Sequence, residues 1–134
     1  MEFITVEQFK EQPLEVQKVF LDWWKCEHYD IYAWAMDLKG NKWYIENCTN
    51  QIQADTINKG KTIEFLIPLF TEGQLRKFIE DKLDMKIQCG IHPLTLDYII
   101  LVKNNSGNKV WMHTGKEDLL QAYWKVACMI VKEG

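Results

Sequence analysis

LIPLFTEGQLRKFIEDK, residues Leu66–Lys82, contains a helix start that short-range chemistry defines completely. Thr71 and Gln74 stand at capping-box spacing, so each side chain can accept a hydrogen bond from the other's backbone N–H. Phe70 and Leu75 occupy the two positions of a hydrophobic staple around that cap. The stretch predicts a helix that begins directly after Thr71 and buries one face.

Two further capping-box pairs predict two further helix starts. Thr5 and Gln8 predict a short helix near Val6, and Thr114 and Glu117 predict the start of the last helix. A fourth helix is expected after Pro13, which suits a first helical turn. Its apolar stripe is predicted to contain Leu14, Val16, Val19, Phe20, Trp23 and Trp24. The stripe of the last helix is predicted to contain Leu120, Tyr123, Trp124, Ala127 and Ile130.

Alternating and continuous apolar runs between these helices predict strands. Residues 31–37 and 43–46 flank a turn at residues 39–42 and predict a β-hairpin. A second hairpin is predicted around the turn at residues 104–108, with a central strand at 96–103 that is apolar on both faces. Shorter strands are expected at residues 62–66 and 85–89.

The expected fold is a single α+β domain over residues 1–134. Its largely antiparallel sheet contains the two hairpins and is packed by about four helices. The polar segment at residues 48–61 is predicted to be the longest irregular connection, a type of loop that often carries function.

Composition narrows the class of protein. Hydrophobic residues make up 47% of the 134 residues and charged residues 26%, as in ordinary globular proteins. The formal net charge is −3 and no run of basic residues is long, so nucleic acid is not an expected partner. We expect no membrane association and a cytoplasmic location, where the four cysteines would be thiols.

Two short clusters of Cys and His are the candidates for metal or nucleophilic chemistry. They consist of Cys26 with His28 and of Cys89 with His92. Neither contains the paired C-x-x-C that is typical of structural zinc sites, so they are weak zinc candidates, and no metal and no other cofactor is predicted. A catalytic cysteine would need a neighbouring histidine and an orienting group, and no catalytic residue is predicted.

Aromatic residues make up 13% of the chain, and most of them are expected to pack in the core, although exposed aromatic residues also form binding surfaces. If an aromatic hairpin face is left uncovered by helices, it offers a contact surface for a partner or a stacking surface for a nucleotide. The predicted partner-binding residues are Tyr32, Trp34, Trp43 and Tyr44. For a nucleotide, the available cations are Lys42, Lys59, Lys61 and Arg76.

Three segments resemble small, uncharacterised proteins from bacteriophages and prophages of clostridia and related Firmicutes. The segments are Phe20–Lys25 (FLDWWK), Ile67–Leu75 with Phe78–Glu80, and Asp118–Ala127 (DLLQAYWKVA). The resemblance implies a phage origin and therefore a location in the cytoplasm of a bacterial host cell. It provides no activity that can be assigned to particular residues.

Together these features predict a non-enzymatic accessory protein that binds a host or phage protein, with inhibition of a host defence system as one such role. One alternative is a small-molecule binder that sequesters a nucleotide signal, and another is a Cys/His or zinc-dependent enzyme. A homodimer formed along a hairpin edge is also compatible with the sequence.

Overall fold

The structure is a computed structural model, and it describes residues 2–36, 42–104 and 106–134. Within these residues the chain forms five helices and two three-stranded sheets, and all strand pairs are antiparallel. The α+β class is therefore confirmed, although the strands form two sheets and the helices number five. None of the described helices combines the length and apolar character that a membrane span requires.

Contacts divide the chain into two compact units, Phe3–Phe70 and Thr71–Gly134, the latter together with Glu2. The predicted single domain over residues 1–134 stays a prediction. The first unit contains α1 (Val6–Lys10), α2 (Leu14–Trp23), β1 (Ile31–Ala35), β2 (Trp43–Asn47), α3 (Gln51–Gly60) and β3 (Leu66–Pro68). The second contains α4 (Glu72–Leu83), β4 (Gln88–Ile91), β5 (Tyr98–Lys103), β6 (Lys109–His113) and α5 (Leu119–Glu133).

Two of the predicted caps are confirmed. The Thr5 hydroxyl accepts from the N–H of Gln8 at 3.1 Å, and the Gln8 side chain accepts from the N–H of Thr5 at 3.0 Å. The same reciprocal pair joins Thr71 and Gln74 at the start of α4. Both helix starts were predictable because a capping box depends only on residues three apart.

The predicted cap at Thr114 is wrong. Its hydroxyl donates to the carbonyl of Tyr98 at 2.7 Å. The helix begins at Leu119, and its N-cap is Asp118, which accepts from the N–H of Gln121. A hydrogen bond to a neighbouring strand therefore outweighs the local capping pattern.

The predicted irregular connection at residues 48–61 is also wrong, because α3 occupies most of it. Asn50 is its N-cap and accepts from the N–H of Gln53 at 2.8 Å. Only Ala54 and Ile57 are buried. Such a narrow buried stripe gives a weak periodic signal, so the polar composition dominated the sequence pattern.

The first unit has an aromatic core beside its sheet. The Phe20 ring lies 6.2 Å from that of Phe9 and 5.7 Å from that of Phe70, which also contacts Trp23. In α2 the predicted stripe is correct for Val16 and Phe20, whereas Leu14 is 59% exposed. The strand order is β2-β1-β3, so β1 is central. The predicted turn at residues 39–42 lies largely outside the described residues.

The second unit places its helices on one face of its sheet. Strand β5 is central in the order β4-β5-β6, as its apolar sequence predicted. Helix α5 packs on β5 and α4 packs on α5. Ile100 and Val102 point from β5 into this core and are buried. Because side chains alternate along a strand, the neighbouring residues of β5 lie on the opposite face.

Candidate functional site

The four aromatic residues predicted to bind a partner do not form one surface. Residues directly opposite in an antiparallel pair share a face, and the register pairs Trp34 with Tyr44 but Ala35 with Trp43. Trp43 therefore lies on the other face of the sheet, where the ammonium of Lys10 stands 5.2 Å from its ring. Trp34 and Tyr44 stack at 4.8 Å and are both partly buried.

Tyr32 is a buried structural residue. Its hydroxyl accepts from the Gln53 amide at 2.6 Å and donates to the Glu46 carboxylate at 3.0 Å, which connects β1 to α3 and β2. Burial and the bond to Glu46 raise the pKa of Tyr32 to about 12. Helix α3, which the sequence reading did not predict, thus places Tyr32 out of reach of a partner.

The two Cys/His clusters lie in different units, and the side chains of each make contacts with neighbouring residues of the chain. Cys26 is buried, and burial with a hydrogen bond to the Cys48 thiol raises its pKa to about 12. The His28 ring stacks on that of Tyr29 with 3.9 Å between centroids. Among the residues that the structure describes, no group of three or more His, Cys, Asp or Glu could hold a metal ion.

The thiols of Cys26 and Cys128 are poorly suited to nucleophilic chemistry. Burial raises the pKa of Cys128 to about 12, as it does for Cys26. Both are therefore protonated at neutral pH, whereas the nucleophile is the thiolate. Cys89 is exposed on β4 and contacts the Tyr123 hydroxyl. Burial and this contact raise the pKa of Tyr123.

The most exposed apolar side chains of the second unit lie in and beside the β4–β5 connection. Leu94 is 87% exposed, Leu96 is 63% exposed and Ile91, at the end of β4, is 56% exposed. Residues 91–96 are here called the apolar loop. Single exposed leucines are common, but three large aliphatic residues within six positions form a concentrated apolar surface.

Hydrogen bonds fix the shape of the apolar loop. The His92 N–H donates to the carbonyl of Asp97 at 2.9 Å, and the Leu96 N–H donates to the carbonyl of His92 at 2.8 Å. The imidazole Nδ1 of His92 accepts from the N–H groups of Leu94 and Thr95 at 3.2 and 3.3 Å. One histidine therefore holds both sides of the turn.

Asp97 anchors the C-terminal end of the loop. Its carboxylate accepts from the Thr95 hydroxyl and from the N–H of Gly115, the latter at 2.9 Å. These two bonds lower the pKa of Asp97. Gly115 has φ +69, a value that suits glycine and brings its N–H to the carboxylate. The loop is thereby joined to the segment before α5.

Leu96 has a strained backbone. Its φ is +62, in the left-handed region that bulky side chains rarely adopt. Strain of this kind persists only where the surroundings enforce it, and it occurs often at functional sites. The loop therefore holds a leucine in a costly conformation while leaving most of its side chain in water.

The sequence pattern does not predict this loop, because His92-Pro93 is typical of a strand break and Leu96 continues the apolar run of the following strand. A usable signal was present, since Leu94 and Leu96 alternate with polar residues directly after a proline. Comparison with protein-family models, with curated proteins and with solved structures finds no match to this chain.

Proposed function

We propose that this protein is a non-enzymatic binding protein that contacts a partner protein through the apolar loop. The observation that carries the proposal is the combination of strain and exposure at Leu96. A rigid, preformed contact loses little conformational entropy on binding, which favours affinity. The loop replaces the aromatic hairpin as the proposed contact surface because Tyr32 is buried and Trp43 lies on the opposite face.

The expected partner has an apolar pocket that receives Leu94 and Leu96. Fully burying a leucine contributes about 1.5–3 kcal/mol, so two contribute at least about 3 kcal/mol. That energy corresponds to roughly a 100-fold change in dissociation constant. The proposed partner is a host or phage protein, in keeping with the phage origin that the sequence resemblance implies. More specifically, we propose a protein of a bacterial defence system.

A pull-down with a matched control tests this proposal. The wild-type protein, the L94S/L96S double variant and the I52S variant are immobilised and exposed to lysate of a clostridial host, and bound proteins are quantified by mass spectrometry. Ile52 is a suitable control because it is 80% exposed on α3, in the other unit. Thermal unfolding of all three proteins confirms that they are folded.

The proposal predicts a partner that wild type and I52S retain equally and that L94S/L96S loses. Its dissociation constant for L94S/L96S, measured with the purified partner, should rise about 100-fold. Equal retention by the double variant would reject the apolar loop as the contact. If wild type retains no specific protein, the binding function itself is rejected.

A phage challenge tests the defence role separately. A host that carries an active defence system should form more plaques when it expresses the wild-type protein than when it expresses L94S/L96S. Unchanged plaque counts with wild type across hosts would reject inhibition of their defence systems and leave the partner assay to decide on binding.

A further inference from the structure

One face of the second unit's sheet carries only exposed or half-buried residues among those that the structure describes. Helix α5 lies against the face that carries Ile100 and Val102. The register places Leu101 opposite Trp111 and Ile99 opposite His113 on the other side. These residues and the others in the same register rows are here called the open face, which comprises Gln88, Gly90, Ile99, Leu101, Lys103, Lys109, Trp111 and His113.

Trp111 occupies the middle of the open face. It is 46% exposed, and Leu101, directly opposite it, is partly buried. A half-exposed indole with an aliphatic residue directly opposite it in the strand pair is suited to stacking. Planar bases stack on such rings with little dependence on base identity.

Every ionisable residue on the open face is basic. Lys103 and Lys109 stand directly opposite each other in the register at one end, and His113 lies at the other end with its ring 4.9 Å from that of His92. Within the described part of the chain, neither lysine forms an ion pair. The face is therefore complementary to an anion although the whole protein has a net charge of −3.

The opposed lysines break a local rule of sheet stability. Like charges directly opposite in an antiparallel pair are destabilising. Places where a sequence violates such a rule without local compensation are expected to be functional. An anion between the two ammonium groups would remove the repulsion.

We propose that the open face binds a phosphorylated nucleoside, with the base on Trp111 and the phosphates between Lys103 and Lys109. The lysines are two residues from Leu101 and Trp111, a distance of about 7 Å along the strands, which a ribose can span. Two lysines offer few contacts to a long phosphate backbone, and the net charge opposes one. The ligand is thus a free nucleotide, and a single-stranded nucleic acid is the competing outcome of the test.

Isothermal titration calorimetry, in which ATP or GTP is added to the full-length chain, tests the proposal. Adenosine and inorganic triphosphate serve as the two partial ligands. The variants are W111L, W111F and K103Q/K109Q, with K132Q as the matched control because Lys132 is exposed on α5, outside the open face. Thermal unfolding without ligand shows which variants remain folded.

The proposal expects ATP or GTP to bind and each partial ligand to bind at least about 10-fold more weakly. W111L should weaken nucleotide binding by about 10-fold or more, because the stacking surface is lost, while W111F should retain most of it. K103Q/K109Q should weaken binding and reduce its salt dependence, and K132Q should behave as wild type.

Three results would overturn the assignment. The first is absence of binding by both nucleotides, and the second is unchanged affinity in folded W111L. The third is binding of a six-residue oligo-dT more tightly than ATP and GTP, which would assign the face to single-stranded nucleic acid.

Discussion

Replacing Leu96 by glycine should separate stability from partner binding. A bulky residue in the left-handed region costs about 1–2 kcal/mol, and glycine removes that cost. Glycine also makes the unfolded chain more flexible, which lowers stability by about 0.5–1 kcal/mol. The side chain of Leu96 is 63% exposed, so its removal forfeits little packing. The free energy of unfolding of L96G should therefore equal that of wild type or exceed it by up to about 1.5 kcal/mol.

Urea unfolding followed by circular dichroism measures this difference. A gain of 1 kcal/mol in a chain of this size corresponds to a rise in Tm of roughly 2–5 °C. L94G is the matched control, because Leu94 is more exposed and is absent from the residues with positive φ. L94G should be less stable than wild type by about 0.5–1 kcal/mol, since glycine there only adds flexibility to the unfolded chain.

A loss of more than 1 kcal/mol in L96G would refute the argument from strain. It would show that the Leu96 side chain contributes packing that outweighs its backbone cost. If L96G also loses affinity for the partner while its stability is maintained, the Leu96 side chain serves binding and not stability.

Three further predictions concern the described contacts. Y32F should lower the free energy of unfolding by about 1–2 kcal/mol in urea titrations, because the buried Tyr32 hydroxyl and its hydrogen bonds to Glu46 and Gln53 are lost. The pKa of Tyr32 is raised from 10.0 to about 12, so the stability linked to this group is present below pH 10 and is lost as the pH rises toward 12. Y32F should therefore flatten that part of the curve of stability against pH. Cys89 should react with Ellman's reagent at once, as the exposed thiol, whereas the three buried thiols should react only on unfolding. N58A should destabilise the protein by about 2–3 kcal/mol in thermal unfolding, because the Asn58 amide bonds to both the N–H and the carbonyl of Cys26. The control variant K59A should have little effect, and equal stability of the two variants would contradict this prediction.

The parts of the fold that the sequence predicted depend on contacts close in the chain. The caps at Thr5 and Thr71 and the central strand β5 follow from residues within one turn or one strand. Thr114 and α3 were predicted wrongly because their structure depends on partners elsewhere. Thr114 bonds to β5, and α3 is connected to β1 by the bond between Gln53 and Tyr32.

The candidate sites were harder to predict for the same reason. Alternation shows which residues of one strand share a face, but the pairing between strands decides which rings meet. Trp43 and Trp34 belong to one hairpin, yet the register puts them on opposite faces. The exposure of Leu94 and Leu96 depends on how His92 and Asp97 fold the loop, and Asp97 does so through Gly115, which is distant in the chain.

The narrow sheets leave four strand edges, and these differ in their resistance to aggregation. Strand β3 ends in Pro68, which cannot donate a backbone hydrogen bond, and β6 carries Lys109. Strand β4 is shorter and contains Gly90, which is unfavourable in strands, whereas β2 has the exposed Ile45 at its centre and no proline, glycine or lysine between Trp43 and Asn47. As protein concentration rises, self-association by strand addition should therefore begin at β2, and a charged residue in place of Ile45 should suppress it.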